Sequence, residues 1–328
     1  MPPGQDEQRN IIMNIQDIIL HNDDPDGIDR RGFLKCMAWA GTGVLWTVSG
    51  GLLTSKVLGA TAAGGGADFT FAQISDSHVG FNKDANKDVI GTLHKAIAKI
   101  NALPKAPDFI LHTGDLTHLS EAEEFDALEQ NLKMIRTGEI FYVPGEHDVM
   151  SDNGALYRER FAKKSLGSGW YSFDHKGVHF VGLVNVVETH EGGLGVLGAP
   201  QLEWLQKDLA PLPASTPIVV FAHIPLWAVY PQWGWGTDDA EQALGYLRRF
   251  GSVTVLNGHI HQTVKKVEGN ITFHTAMSTA FPQPAPGTAP KPGPLKVEAA
   301  RLSSVLGITD VNYVEGTHTL AVVDSTLA

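Results

Sequence analysis

The sequence predicts a layered α/β domain with mixed β-sheets and outer helices, preceded by a signal segment. Three observations predict it. From residue 68 onward, short apolar runs of strand length alternate with runs of helical spacing. Two hairpin signals, at His175-Lys176-Gly177 and Glu268-Gly269-Asn270, add antiparallel strands, so the sheets are mixed. Residues 1–67 have a separate character, that of an export signal and flexible linker. The 328 residues therefore divide into a leader over 1–67 and one large α/β domain over 68–328. Apolar residues at 43% and charged residues at 19% suit a globular chain. A net charge of −11 weighs against gripping nucleic-acid phosphates, and no nucleic-acid partner is expected. One Cys excludes a disulfide scaffold and a thiolate zinc cluster, whereas 14 His invite the question of whether they cluster.

In the leader, Asp29-Arg30-Arg31-Gly32-Phe33-Leu34-Lys35 precedes an uncharged run to Lys56, diluted by Gly, Thr and Ser. Ala60-Thr61-Ala62 supplies a small-x-small cleavage site, and Gly64-Gly65-Gly66 a flexible joint. The paired arginines resemble the twin-arginine signal of bacteria, with Asp29 where Ser or Thr is usual. This implies the twin-arginine export machinery as a partner and a periplasmic or secreted location. An uncleaved leader would instead be a membrane anchor. Cys36, the sole Cys, leaves with a cleaved leader.

Phe69–Ile74 reads as the first strand, and Ala85–Ala102 as a helix through Val89, Leu93, Ile97 and Ile100. Phe109–His112 is a buried strand, Ala122–Arg136 a helix and Ile140–Val143 a strand. Trp170–Phe173 pairs with Val178–Val184 in the first hairpin. Gln201–Leu209 is a helix, Ile218–Ala222 a buried strand, Ala240–Phe250 a helix and Val253–Leu256 a strand. Val264–Val267 and Ile271–His274 form the second hairpin, and Leu320–Val323 closes the chain. Two loops are long enough to suggest function: Pro225–Gly236, with Trp227, Tyr230, Trp233 and Trp235, and Phe281–Leu295, with six Pro.

Five motifs follow expected strand ends: Asp76-Ser77-His78, Gly114-Asp115, Gly145-Glu146-His147-Asp148, His223, and Gly258-His259-Ile260-His261. Open α/β sheets place their sites at the C-terminal ends of strands. Residues i and i+2 there can turn toward one ion, and the Gly residues let the backbone turn sharply. Five imidazoles and at least three carboxylates exceed what one tetrahedral zinc takes. They suit two ions bridged by a carboxylate, which could hold a hydroxide for in-line attack at phosphorus.

In this order the motifs resemble the calcineurin-like metallophosphoesterase family, whose blocks run D-x-H, G-D, G-N-H-[DE], H and G-H-x-H. Pro200-Gln201-Leu202-Glu203-Trp204-Leu205 is also similar to that family. Within it, Ile74-Ser75-Asp76-Ser77-His78 and Asn257-Gly258-His259-Ile260-His261 look nearer the cyclic-nucleotide phosphodiesterase-like branch than protein phosphatases. The resemblance implies a four-layer α/β/β/α sandwich of two mixed sheets. It implies a phosphate mono- or diester as substrate and two metal ions drawn from Mn, Fe or Zn, with one trivalent Fe as an option. Asp76, His78 and His261 would hold the first ion, Asp115 would bridge, and residue 146 with His223 and His259 would hold the second. His147 would contact the phosphate or protonate the leaving oxygen, and Asp148 in the same block joins it as a catalytic candidate.

Glu146 departs from the family's Asn. With two divalent ions and one hydroxide, three carboxylates make the centre neutral, whereas Asn leaves one positive charge. The readings are a preference for diester monoanions, one trivalent ion, a Glu146 turned aside, or a metal-binding sensor or scaffold that has lost turnover. His118, three residues after Asp115, is open between ligand, substrate contact and packing. His112 fits packing better than a role beside the metals. Trp227 and Tyr230 either stack on substrate or bury their own loop.

Overall fold

The computed structural model describes residues 44–49, 52–57, 68–314 and 319–328. Arg30-Arg31, Cys36 and Ala60-Thr61-Ala62, on which the export reading rests, lie outside the described residues. Ahead of residue 68, β1 (Val44–Ser49) and β2 (Leu52–Val57) pair antiparallel. No helix among the described residues is long and apolar enough to cross a membrane.

The α/β domain holds two mixed sheets. One has β3 (Phe69–Ile74), β4 (Phe109–His112) and β5 (Glu139–Tyr142) in parallel, with β12 (Gly307–Val314) antiparallel to β3 and β13 (Thr319–Thr326) antiparallel to β12. The other has β7 (Val178–Gly182), β8 (Ile218–Phe221), β9 (Val253–Asn257) and β11 (Ile271–Thr275) in parallel. Antiparallel edges β6 (Tyr171–His175) and β10 (Lys265–Glu268) close that sheet. Both expected hairpins are present, in the registers His175↔Val178 and Glu268↔Ile271.

Alternate residues of each central strand face opposite layers. Phe69, Phe71, Phe109 and Leu111 of one sheet meet Phe180, Val219, Phe221 and Leu256 of the other in the middle of the sandwich. Outside the first sheet, α1 (Val89–Asn101), α2 (Ala122–Leu132) and α3 (Ala155–Phe161) bury Leu93, Ile97, Phe125, Leu128 and Tyr157. Outside the second, α4 (Ala199–Leu209) and α5 (Ala240–Leu247) bury Leu202, Leu205, Leu244 and Leu247. The result is the α/β/β/α sandwich. Strands buried on both faces have continuous apolar sequences, which explains the runs at 109–112 and 218–221.

Several boundaries differ from the sequence reading. The first helix begins at Val89, four residues late, because Asp88 caps it and accepts from the Gly91 N–H at 2.8 Å. Ala85 instead packs with Phe81 and Phe281. The second helix stops at Leu132, where single turns carry the chain to Ile135. The helix from Ala240 ends at Leu247, and Phe250 is buried on a turn beyond it. The last strand is longer than expected, and α3, α6 (Ala299–Val305) and β12 were not expected. Strand β12 is hidden by polar residues. Its Asp310 accepts from the Thr70 hydroxyl at 3.1 Å and its Thr309 donates to Asp324 at 2.8 Å, bonds that pay for polarity inside a sheet.

Candidate metal centre

The loops after β3 and β4 continue the ladder side by side. Asp76 N–H donates to Gly114 O and His78 N–H to Asp115 O, both at 2.9 Å. These loops turn at once into the left-handed region: φ is 54° at Asp76, 40° at His78 and 50° at Asp115, and 70° and 56° at His259 and His261 after β9. A non-glycine residue held there costs about 1 kcal/mol or more, and such strain gathers at functional sites. Two glycines give room. A Cβ at Gly114 would lie 2.4 Å from His223 Nδ1, and one at Gly258 would lie 2.1 Å from Ser75 Oγ. Beyond β5, Gly145 opens the single 3-10 turn Glu146–Asp148.

All seven expected ligand residues come together, in two groups: Asp76, His78, Asp115 and His261, then Glu146, His223 and His259. Asp115 Oδ2 links them, 3.3 Å from His78 Nε2 and 3.4 Å from His223 Nε2. In the first group His261 Nε2 is 3.2 Å from Asp76 Oδ1 and 3.3 Å from His78 Nε2. In the second, Glu146 turns inward, with Oε2 2.9 Å from His223 Nε2 and Oε1 3.0 Å from His259 Nδ1. The expectation that it turns aside is not met.

The donor chemistry fits cations. His223 Nδ1 lies 2.6 Å from the Thr113 carbonyl, which only accepts, so the ring hydrogen sits on Nδ1. In the neutral ring Nε2 is then a lone pair, buried without a hydrogen bond and aimed at two carboxylates. That arrangement repels unless positive charge lies among the three atoms. Burial alone would lower the His223 pKa, yet Asp115 and Glu146 hold it well above its ordinary value, the same demand for positive charge. His261 Nδ1 is likewise committed to the Phe281 carbonyl at 2.5 Å, which turns its Nε2 toward Asp76. Burial opposes ionisation of Asp76 and Glu146. His261 nevertheless pulls the Asp76 carboxyl below its usual range, and His259 and His223 hold Glu146 well below it. Burial and the neighbouring His147 hold His78 well below its ordinary value, hence neutral and able to ligate.

His147 stands beside both groups. Its backbone N–H donates to Asp115 Oδ1 at 3.0 Å, and its Nδ1–H donates to the His118 carbonyl at 2.6 Å. Burial would lower its pKa, but Asp115 and Glu146 raise it. His118 stacks on it with centroids 4.8 Å apart, and His118 Nδ1 is 3.5 Å from His78 Nδ1. Burial and His147 bring His118 down to about 4. Asp148 points into the scaffold. It accepts from the N–H groups of Leu116, Thr117 and Gly145 and from the Thr117 hydroxyl, at 2.8 to 3.0 Å. Burial and the charge of Asp115 push it up to about 7. His112 lies behind the Asp76–His78 turn, its Nε2 2.9 Å from Ser77 Oγ. Trp227 is not brought to the cluster but packs on Phe273 in the outer core. Tyr230 sits edge-on to Trp233, and Trp233 and Trp235 enclose Ile260. The aromatic loop thus buries itself, and in doing so supports the residue between His259 and His261.

Sequence reasoning missed the Pro-rich loop's part. Phe281 stacks on His78 and His261 at 4.7 and 4.8 Å, and the Gln283 amide donates to His259 O at 2.9 Å. The length of that loop was the only signal, and it names no residue.

The family described as calcineurin-like phosphoesterase matches residues 69–263, more than half the chain. A 3′,5′-cyclic-nucleotide phosphodiesterase of Nostoc sp. is 26% identical over 218 residues, covering 65% of this chain and 79% of the relative. A serine/threonine-protein phosphatase of Danio rerio is 25% identical over 224 residues, covering 59% and 70%. Among solved structures, a dimetal phosphatase from Danio rerio shares the fold, with a TM-score of 0.57 at 16% identity over 79% of this chain and 99% of that one.

Proposed function

This chain belongs to the calcineurin-like phosphoesterase family, and from that premise we propose that it is an exported enzyme hydrolysing phosphate mono- or diesters at a two-ion centre. The observation that carries the reading is Asp115 Oδ2, set between the nitrogens of two separate donor groups. Asp76, His78 and His261 would hold one ion and Glu146, His223 and His259 the other, with Asp115 within reach of both groups. Two bound ions would supply Lewis-acid activation of water and of the phosphoryl oxygens.

The remaining work falls to the chain. The Thr113 and Phe281 carbonyls fix the tautomers of His223 and His261, so each presents a lone pair inward. The His118 carbonyl orients His147, leaving Nε2 toward the reacting group. With Nδ1–H given to His118, a protonated His147 would give its Nε2 proton to the departing ester oxygen as water adds at phosphorus. Asp148 acts as a positioning residue, tying the Glu146–His147 turn to the loop that carries Asp115. The named activity of the Nostoc relative supports diesters as substrates.

Elemental analysis and a mono- and diester panel test the proposal. Wild type should hold two ions per chain and release phosphate or a monoester. Asp115→Asn should fall below two ions and lose activity at least about a hundredfold. Full activity of Asp115→Asn, or no hydrolysis by the two-ion wild type, would refute it. The exported location is tested separately. Residues 1–67 fused to a folded reporter should carry it out of the cytoplasm, and Lys at positions 30 and 31 should stop it.

A further inference from the structure

We infer that Glu146 is a specificity-determining residue: it places a third carboxylate in the centre and so discriminates against doubly charged phosphate. This deepens the proposed function and rests on it. Glu146 is half-buried, yet both of its oxygens are committed inward, one to each imidazole of the second group. Asp76 and Asp115 are already buried carboxylates in the same cluster. A neutral amide of the same length could offer the same oxygen at the same place. The carboxylate differs by one full negative charge, set within the cluster where an ester phosphate must approach.

The consequence depends on the ligand's charge. Coulomb energy is the product of charges, so the added negative charge acts twice as strongly on a dianion as on a monoanion. Phosphate monoesters carry about 1.5 to 2 negative charges at neutral pH, and orthophosphate, whose second proton is lost about one pH unit later, approaches two in mildly alkaline buffer, where the titrations are run. Diesters carry one. The penalty therefore falls unequally, with monoesters and the orthophosphate product held loosely and diesters lightly affected. Screening reduces both interactions but not their order, because each scales with the same product of charges.

The measurement is binding, with hydrolysis as a second readout. Protein at two ions per chain, verified by elemental analysis, is titrated with orthophosphate and separately with dimethyl phosphate, in wild type and in Glu146→Gln. The variant should bind orthophosphate about tenfold tighter or more, while dimethyl phosphate affinity changes several-fold less. The ratio of diester to monoester hydrolysis, for esters sharing a p-nitrophenyl leaving group, should fall in parallel. Equal changes for both anions, or no change for orthophosphate, overturn the inference. If Glu146→Gln does not reach two ions in excess metal, the wild type decides. Dimethyl phosphate bound as tightly as orthophosphate supports the inference, and orthophosphate bound tenfold tighter overturns it. A two-ion wild type that hydrolyses neither ester refutes the proposed function, while the two titrations still judge Glu146.

Discussion

The ring of His147 is fixed at one nitrogen and available at the other. Its Nδ1–H is given to the His118 carbonyl and its face is covered by the His118 ring. A group held this way serves the leaving oxygen only as far as that oxygen needs a proton. His147→Gln should therefore slow an alkyl diester by about 10²–10⁴-fold, and a p-nitrophenyl ester, whose leaving group departs unprotonated, far less. Two ions per chain should remain. Equal losses for both esters would show that His147 does not act as the acid. The role expected of this residue came from the resemblance carried by the five motifs taken together, not from its local pattern. Its orientation was not legible, because the acceptor is a backbone carbonyl, which every residue has. The same holds for His223 and His261, whose tautomers are set by Thr113 and Phe281 through main-chain oxygens. Asp148 was read as catalytic from its neighbours alone. Its four scaffold donors come from a loop 31 to 32 residues away or from its own turn, and no local pattern displays them.

Elements were legible wherever burial on both faces wrote a continuous apolar run, and hidden where polar residues are satisfied by partners far along the chain. Strand β12 is the second kind, as is the fastening of the β6–β7 hairpin to α4. There His179, nearly buried, sits between Asp174 of β6 at 2.8 Å and Asp208 of α4 at 2.9 Å. Burial works against the imidazolium, but the bonds to Asp208 and Asp174 outweigh it and raise the folded pKa above 6.5. The unfolded chain releases that proton first as pH rises, so the stabilisation is complete below 6.5 and fades as pH passes through the folded value. His179→Gln should therefore be most destabilising relative to wild type near pH 5.5–6.5, with the gap between their melting temperatures narrowing toward pH 9. A gap that widens with pH would mean the ring acts in its neutral form. The loops follow the same logic. The aromatic run after His223 left a substrate wall and a self-buried loop open, and Trp233 and Trp235 pack with Ile260, so the loop acts on the site by holding one ligand turn.

On the scale of the molecule, the two sheets meet the centre from opposite sides. Asp76, His78, Asp115 and Glu146 follow strands of the five-stranded sheet, and His223, His259 and His261 follow strands of the six-stranded one. Each donor group draws on both sheets. Bound ions would therefore cross-link the halves of the sandwich as well as serve the proposed reaction. Without cations, Asp115 and Glu146 keep a proton on His223, so protons take the place of metal charge only in part at the seam between the sheets. Folding and metal binding should be coupled strongly. A ligand that binds only the folded chain at a hundred times its dissociation constant adds about 2.7 kcal/mol. For a domain of this size that corresponds to a rise of roughly 5–10 °C in melting temperature. Removing metal with a chelator should lower the melting temperature by that amount, and dialysis into Mn, Fe or Zn should restore it. Asp115→Asn, which removes the carboxylate shared by both groups, should gain less in melting temperature than wild type on metal addition. If chelation leaves the wild-type melting temperature unchanged while the ions are shown to be gone, the sheets are held without them, and the donors would be an active site laid over a seam that is stable by itself.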